Sequence, residues 1–283
     1  ITLDYLKMNK KNYSIIGRPI AHSLSPTLHN YWFKKYKIHA SYELCEINED
    51  EIEKIINKIR NKEISGINVT LPYKQKVIPF IDRLVNDAKE SNSVNTIYLN
   101  EKNEIIGENT DVYGMQAGYL KVLAYENISK KKVLVIGAGG VSPSIIVALM
   151  KSGAKDISLI NRTYNKSIIL KKGFKNINIY EWSSLAERVK DFDIIINATS
   201  LGLRGTTEFP PVFNNTKDSL IYIDTIYNPL QTVSIKNFKK KGIKTFNGLD
   251  MFVYQGQKSF YLWSKVNPEI DDKLIELLKS KIQ

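Results

Sequence analysis

The chain has 283 residues, of which 43% are hydrophobic and 25% charged, and its 41 lysines and arginines outweigh 29 acids to give a formal net charge of +12. That length and apolar content support a sizeable core and suit two modest domains better than one. Lys, Asn or Glu interrupts every hydrophobic run before it reaches the roughly 18 residues of a membrane span, and Cys45, the single cysteine, excludes an intramolecular disulfide or a thiolate metal cluster.

In chain order, YSIIG predicts a strand, residues 26–36 a helix, SYELCEI a second strand with Cys45 buried in it, a charged helix starts near Glu49, and ISGINVT forms a third strand. This is a βαβαβ rhythm. A helical stretch is expected over 74–88, followed by the short strands VNTIYLN and EIIGEN with Asn103 in the turn between them, and a helix from about Asp111.

KKVLVIGAGGVSPSIIVALMKSG begins a second unit with a near-continuous apolar strand, a glycine turn and an apolar helix closed by Gly153. A strand of that kind must be covered on both faces. The alternation continues through DISLINRT, a helix from about Tyr164, NINIY, a short helix over 183–189, DFDIIINATS, SLIYIDTIY and GIKTFNG, which predicts a parallel, doubly wound sheet. Residues 203–218, with Gly205, Pro210 and Pro211, read as a loop. An aromatic-rich helix over 248–265 and an amphipathic helix after Pro268 close the chain and are expected to pack back on the first domain.

The first residues lack the apolar region and cleavage site of a secretory leader, so the cytoplasm is the expected compartment. His22, His29 and His39 lack metal-ligand spacing, and no metal is expected. The positive charge would suit nucleic acid, an acidic membrane or an anionic small molecule. Its lysines are scattered and mixed with acids, as over 50–62, so a solvated surface explains them better than a nucleic-acid or membrane partner.

Gly137-Ala138-Gly139-Gly140-Val141-Ser142 follows a strand and opens a helix, where backbone N–H groups can approach a pyrophosphate. Ser142 stands where the dinucleotide fingerprint has its third glycine, and Pro143 is tolerated in a first helical turn. An ordinary strand-to-helix turn is the competing explanation. At the end of the next strand an NAD site usually carries an acid for the ribose 2′-hydroxyl. Here Asn161-Arg162-Thr163 and Lys166 offer a guanidinium, a hydroxyl and an amine with no opposing carboxylate, which favours NADP.

Three polar segments in the first half suit hydride-transfer chemistry, which needs a proton donor for an alkoxide and partners for a carboxylate and hydroxyls. Ser23 and Ser25 in HSLSP precede a helix, where they either cap it or face an anion. Asn68 and Thr70 end a strand in NVTLPYK and Lys74 follows the proline turn, placed for chemistry or simply exposed. Asp111 in NTD opens a helix, as a cap or as a carboxylate orienting the Lys74 amine.

GRPIAHSLSP, NVTLPYK, SVNT, ENTD, GAGGVS with NRT, NATSLG, and IDTIYNP followed by NGLDMFVYQG occur in one order from about Tyr13 to about Trp263, and together they resemble the shikimate dehydrogenase family. The resemblance implies an α/β protein with an N-terminal α/β substrate domain over 1–110, completed by helices 248–283, and a Rossmann-like doubly wound NADP-binding domain over 111–247. It implies that Lys74 is the catalytic acid/base and that Asp111 supports it and contacts the ring hydroxyls. Ser23, Ser25 and Tyr227 resemble the carboxylate grip; Thr70, Asn95 and Gln255 match positions that bind hydroxyls, with Asn68 beside them. Gly137, Ala138, Gly139, Gly140, Val141, Asn161, Arg162, Thr163, Lys166, Thr225 and Gly248 match the NADP-binding positions. Arg18, Pro143 and Lys166 depart from the common family pattern, and the last two bear on the grip on a 2′-phosphate. The expected partner is a small molecule, shikimate or 3-dehydroshikimate, and the expected state a monomer or homodimer. The rival expectations are a quinate/shikimate dehydrogenase that also uses NAD, and a non-catalytic sensor of these ligands.

Overall fold

A computed structural model describes residues 10–123 and 127–282; the expectation about a leader concerns mostly residues 1–9, outside the described residues. The described chain forms two compact units, residues 10–110 with 255–281 and residues 111–254. No helix among the described residues is long and apolar enough to cross a membrane.

The first unit holds a six-stranded sheet made of β1 (Lys11–Gly17), β2 (Ala40–Glu46), β3 (Gly66–Val69), β4 (Arg83–Leu84), β5 (Thr96–Leu99) and β6 (Ile105–Glu108), in the order β2-β1-β3-β5-β6-β4. β1 runs parallel to β2 and β3, whereas β5 is antiparallel to β3 and β6. The β5–β6 hairpin turns at Asn103, whose φ of 59° is a left-handed value that asparagine tolerates better than most residues. Ile52, Ile55, Ile56 and Ile59, spaced as one helical face, bury the helix Ile52–Arg60 against Ile16, Ile67 and Ile97. Elsewhere in this unit Tyr13 stacks on Phe33 and Trp263, with ring centroids 5.3 and 4.8 Å apart, and Trp32 donates to the Glu269 carbonyl at 2.9 Å. These contacts fix residues 255–281 to the first unit.

Two sequence expectations need correction here. Residues 74–88 do not form one helix: a turn leads to a 3-10 turn at Ile78–Phe80, then β4, then a short helix Asp87–Ser91. Pro79 has no N–H for a helical ladder and biases Ile78 away from it, while the Asp82 carboxylate accepts from the Ile105 N–H at 2.7 Å and draws the chain onto β6. Cys45 is half-buried rather than buried, because β2 is an edge strand.

In the second unit β7 (Lys132–Ile136), β8 (Asp156–Asn161), β9 (Asn178–Glu181), β10 (Ile194–Asn197), β11 (Ile221–Asp224) and β12 (Lys244–Phe246) form an all-parallel sheet in the order β12-β11-β10-β7-β8-β9. The apolar β7 is covered on both faces. Val133 and Val135 join Ile145, Ile146 and Leu149 of the helix Ser142–Lys151, and Leu134 and Ile136 join Leu185, Tyr222 and Phe238. The order reverses between β7 and β10, and a ligand binds such a sheet beyond the carboxyl ends of those strands. The sequence places the end of this unit at 247; it extends to 254 because Met251, in the helix Leu249–Ser264, is part of the same core as β7.

Candidate active site

In the first unit, the strand ends carry the polar residues. Ser23 and Ser25 lead into the helix Ser25–Lys35: the Ser23 hydroxyl accepts from the Ser25 N–H at 3.3 Å and lies 3.2 Å from the Ser25 hydroxyl. That is a local turn bond, and the N-cap residue, Leu24, contributes no side-chain cap. Thr70 is half-buried and follows β3, its N–H donating to the Ile16 carbonyl at 2.9 Å. After the cis Leu71–Pro72 bond comes Lys74, whose carbonyl accepts from the Val94 N–H at 2.8 Å. Lys74 is only 9% exposed, and no other lysine or arginine of the described residues is buried.

Asn95, 3% exposed, is fixed by its neighbours: its Oδ1 accepts from the Thr110 N–H at 2.7 Å, and its Nδ2 donates to the Thr110 hydroxyl at 2.9 Å and toward the Gln255 Oε1 at 3.4 Å. Asn68 lies behind it. Its Nδ2 is 3.0 Å from the Asn95 carbonyl, the Thr96 hydroxyl and the Ser259 hydroxyl, and its Oδ1 accepts from the Tyr42 hydroxyl at 2.7 Å. Its hydrogen-bonding capacity is therefore used inside the protein. Sequence reasoning gave no role to Thr96 or Ser259, which bond each other at 2.8 Å. Ser259, one turn after Gln255 on an aromatic-rich helix, was the available signal.

In the second unit, Asp111 is the first residue of the helix Asp111–Met115 and is 6% exposed. The glycine turn follows β7. Gly137 has φ of 110°, and a Cβ there would lie 2.9 Å from the Ala198 carbonyl oxygen, so both conformation and space demand glycine. A Cβ on Gly139 would meet nothing nearer than that oxygen at 4.0 Å, which leaves this side of the turn open to a ligand. Buried Ser142 replaces the third glycine by bonding the turn: its hydroxyl donates to the Gly137 carbonyl at 2.8 Å and accepts from the Gly139 N–H at 3.2 Å. Gly140 and Val141 complete the entry to the helix Ser142–Lys151.

Asn161, the last residue of β8, accepts from the Ala138 N–H at 3.0 Å and donates to the Thr163 carbonyl at 2.8 Å, so it joins the glycine turn to the Asn161–Lys166 segment. Arg162, Thr163 and Lys166 are exposed, and no acid among the described residues pairs with either cation. An open glycine turn at a helix start, followed by unopposed basic residues, fits a dinucleotide with a 2′-phosphate. Thr225 follows β11, and its hydroxyl donates to the Asn197 carbonyl at 2.8 Å. The Gly248 N–H donates to the Ile226 carbonyl at 2.8 Å, and Tyr227 packs its ring 4.7 Å from that of Phe252.

Sequence reasoning also passed over Asp224 at the end of β11. Its fully buried carboxylate accepts from Asn197 Nδ2 at 3.0 Å, the Ile226 N–H at 3.1 Å, the Thr232 hydroxyl at 2.9 Å and the Tyr222 hydroxyl at 3.3 Å. Burial pushes its pKa up to about 6 although these bonds pull it down. An acid inside the apolar run SLIYIDTIY was the signal. No group of three or more candidate metal ligands occurs among the described residues.

The sheet order and the glycine turn at its switch point define a Rossmann-type dinucleotide-binding fold, joined to a second α/β unit. Residues 15–97 match the shikimate dehydrogenase substrate binding domain, and residues 121–224 match the shikimate / quinate 5-dehydrogenase domain. A shikimate dehydrogenase (NADP(+)) of Pelagibacter ubique is 48% identical over 269 residues, 95% of this chain and 99% of the relative. The crystal structure of shikimate dehydrogenase from Aquifex aeolicus matches with a TM-score of 0.83 and 33% identity, covering 97% of this chain and 98% of that one. That of shikimate 5-dehydrogenase from Thermus thermophilus, in complex with NADP(H) and shikimate, matches with a TM-score of 0.83 and 27% identity over 96% and 99% of the two chains. The chain belongs to the shikimate dehydrogenase family.

Proposed function

We propose that the chain is an NADP-dependent shikimate dehydrogenase, an oxidoreductase that reversibly reduces the ring ketone of 3-dehydroshikimate to the alcohol of shikimate, within the shikimate pathway of aromatic amino acid and chorismate biosynthesis. The observation that carries this reading is Lys74, the one buried lysine among the described residues, placed just after a strand end that also bears Asn68 and Thr70. Lysines are ordinarily solvated, and one held out of water at a strand end is available to exchange a proton with a substrate oxygen.

In this reading Lys74 donates a proton to the developing alkoxide oxygen and takes it back when shikimate is oxidised. By the family resemblance, Asp111 supports this proton exchange and accepts from a ring hydroxyl. Ser23 and Ser25 with Tyr227 grip the substrate carboxylate, and Thr70, Asn95 and Gln255 bond the hydroxyls. Asn68 acts from behind, holding Asn95 and Thr96 in register. NADPH, when bound, supplies the hydride. The turn from Gly137 to Val141 takes its pyrophosphate, Arg162, Thr163 and Lys166 take the 2′-phosphate with Asn161 fixing their segment, and Thr225 and Gly248 flank the remainder. The name of the Pelagibacter relative, a shikimate dehydrogenase (NADP(+)), and the ligands of the Thermus structure support both substrate and cofactor. A cytoplasmic setting and a monomeric or homodimeric state complete the reading.

Initial rates of the purified protein on shikimate and on quinate, each with NADP+ and with NAD+, test the proposal through the absorbance of reduced cofactor. Shikimate with NADP+ is expected to be the fastest pair. No turnover of shikimate with either cofactor would overturn it.

A further inference from the structure

The carboxylate of Asp224 lies at the end of β11 and touches two loops at once. Its Oδ1 accepts from the Ile226 N–H at 3.1 Å and from Asn197 Nδ2 at 3.0 Å; its Oδ2 accepts from the Thr232 hydroxyl, which also caps the helix Val233–Lys240, and from the Tyr222 hydroxyl. Asn197 is itself a staple, since its Oδ1 accepts from the Thr199 N–H at 2.9 Å and its Nδ2 reaches the Leu201 carbonyl at 3.1 Å. Ile226 sits between Thr225 and Tyr227, and its carbonyl accepts from the Gly248 N–H. A carboxylate at 0% exposure is costly to bury and these donors offset that cost, so its place at the root of these loops calls for a reason other than packing.

We propose that Asp224 is a positioning residue: through Oδ1 it clamps the 197–201 loop to the 225–227 loop, and so sets Thr225, Tyr227 and Gly248 for cofactor and substrate. The inference rests on the function proposed above for those three residues. The two oxygens have separable duties. Oδ1 holds the loops, whereas Oδ2 serves the helix cap and the Tyr222 ring. An asparagine whose carbonyl takes the place of Oδ1 keeps both loop bonds, and its amide can face the two hydroxyls, which can turn to accept. Alanine loses everything.

The test uses the full chain with Asp224→Ala, Asp224→Asn and Thr232→Val. Amide hydrogen exchange of the apo protein, calorimetric titration with NADP+, and KM and kcat are measured for each. Asp224→Ala is expected to speed exchange at 197–201 and 225–227 and to raise the Kd for NADP+ and the KM for shikimate roughly tenfold, the cost of about 1.4 kcal/mol of lost preorganisation in each. Asp224→Asn should restore both constants to within about threefold, and Thr232→Val should leave both within about twofold, in keeping with its bond to Oδ2 alone. Faster exchange across the whole unit, or loop exchange that rises while both constants stay at wild-type values, overturns the proposal. If Asp224→Ala does not fold, Asn197→Ala cuts the same clamp from the other loop and is read by the same criteria. A wild-type protein without turnover defeats the proposed function, whereas the exchange and NADP+ titration still decide the clamp.

Discussion

Gly248 and Thr225 approach so closely that a Cβ built on Gly248 would lie 2.1 Å from the Thr225 carbonyl oxygen. Neither partner has a flexible end that could swing aside, since the contact is backbone against backbone. Gly248→Ala should therefore push the 225–227 loop away, cost about 1–3 kcal/mol of stability and weaken NADP+ binding. Gly173→Ala is the control, because a Cβ there meets nothing within 4 Å. Chemical denaturation and NADP+ titration of the two variants check this; equal behaviour of the pair would contradict the close contact.

Removing the Lys74 amine should leave the fold intact and cripple the chemical step. Lys74→Ala is expected to lower kcat roughly 100- to 10,000-fold, the usual contribution of a positioned acid/base. The Kd for NADP+ should stay near its wild-type value. A variant that turns over shikimate at the wild-type rate would reject the assignment of Lys74.

Arg162 and Lys166 are exposed and unopposed, so their contribution should appear only with the phosphorylated cofactor. Each charge-assisted bond to a 2′-phosphate contributes about 1.5–3 kcal/mol. Arg162→Ala is expected to raise the KM for NADP+ by roughly tenfold or more while the KM for NAD+ changes little. Lys166→Ala should follow in the same direction with a smaller effect, because an amine lacks the bidentate fork. Equal losses with both cofactors would place the 2′-phosphate elsewhere.

His29 is fully buried, stacked on Tyr42 with ring centroids 4.5 Å apart, and neither of its ring nitrogens has a hydrogen-bond partner among the described residues. Burial lowers its pKa from 6.5 to about 3. Between those values the unfolded chain binds more protons than the native one, so this contribution is present above pH 6.5 and is lost as pH falls towards 3, up to about 5 kcal/mol in all. Asp224 acts in the opposite sense: its pKa is raised from 3.8 to about 6, so its contribution is lost as pH rises through 6. The difference between the wild type and His29→Phe isolates the histidine. Denaturation from pH 3 to 7 should show the variant gaining relative stability as pH falls, and parallel curves would refute the burial of a neutral imidazole.

Much of this was legible from residue order alone. The apolar run KVLVI, the glycines after it and the alternation behind them have one good solution, a parallel sheet covered on both faces, and β7 takes that place between β10 and β8. Arg162 stands out as a cation where an acid is customary, whereas the residues around Lys74 leave it open whether that lysine is simply exposed, and only the family resemblance singles it out. The segment 74–88 was misread because its helical periodicity is local, whereas Pro79 and the long-range bond from Ile105 to Asp82 decide its path. Asp224, Asn197, Thr96 and Ser259 are harder to read because each also bonds a residue far away in the chain, as Asn197 does with Asp224 and Thr96 with Ser259. Short-range patterns carry no trace of such partners.

Cys45, half-buried on the edge strand β2, is the sole thiol of the chain. Burial pushes its pKa up, so the reactive thiolate is scarce near neutrality and modification should be slow but confined to one sulfur. A dye or spin label attached there would mark the first unit at a single known position with no background from other cysteines, and none of the residues given a chemical role would have to be altered to install it.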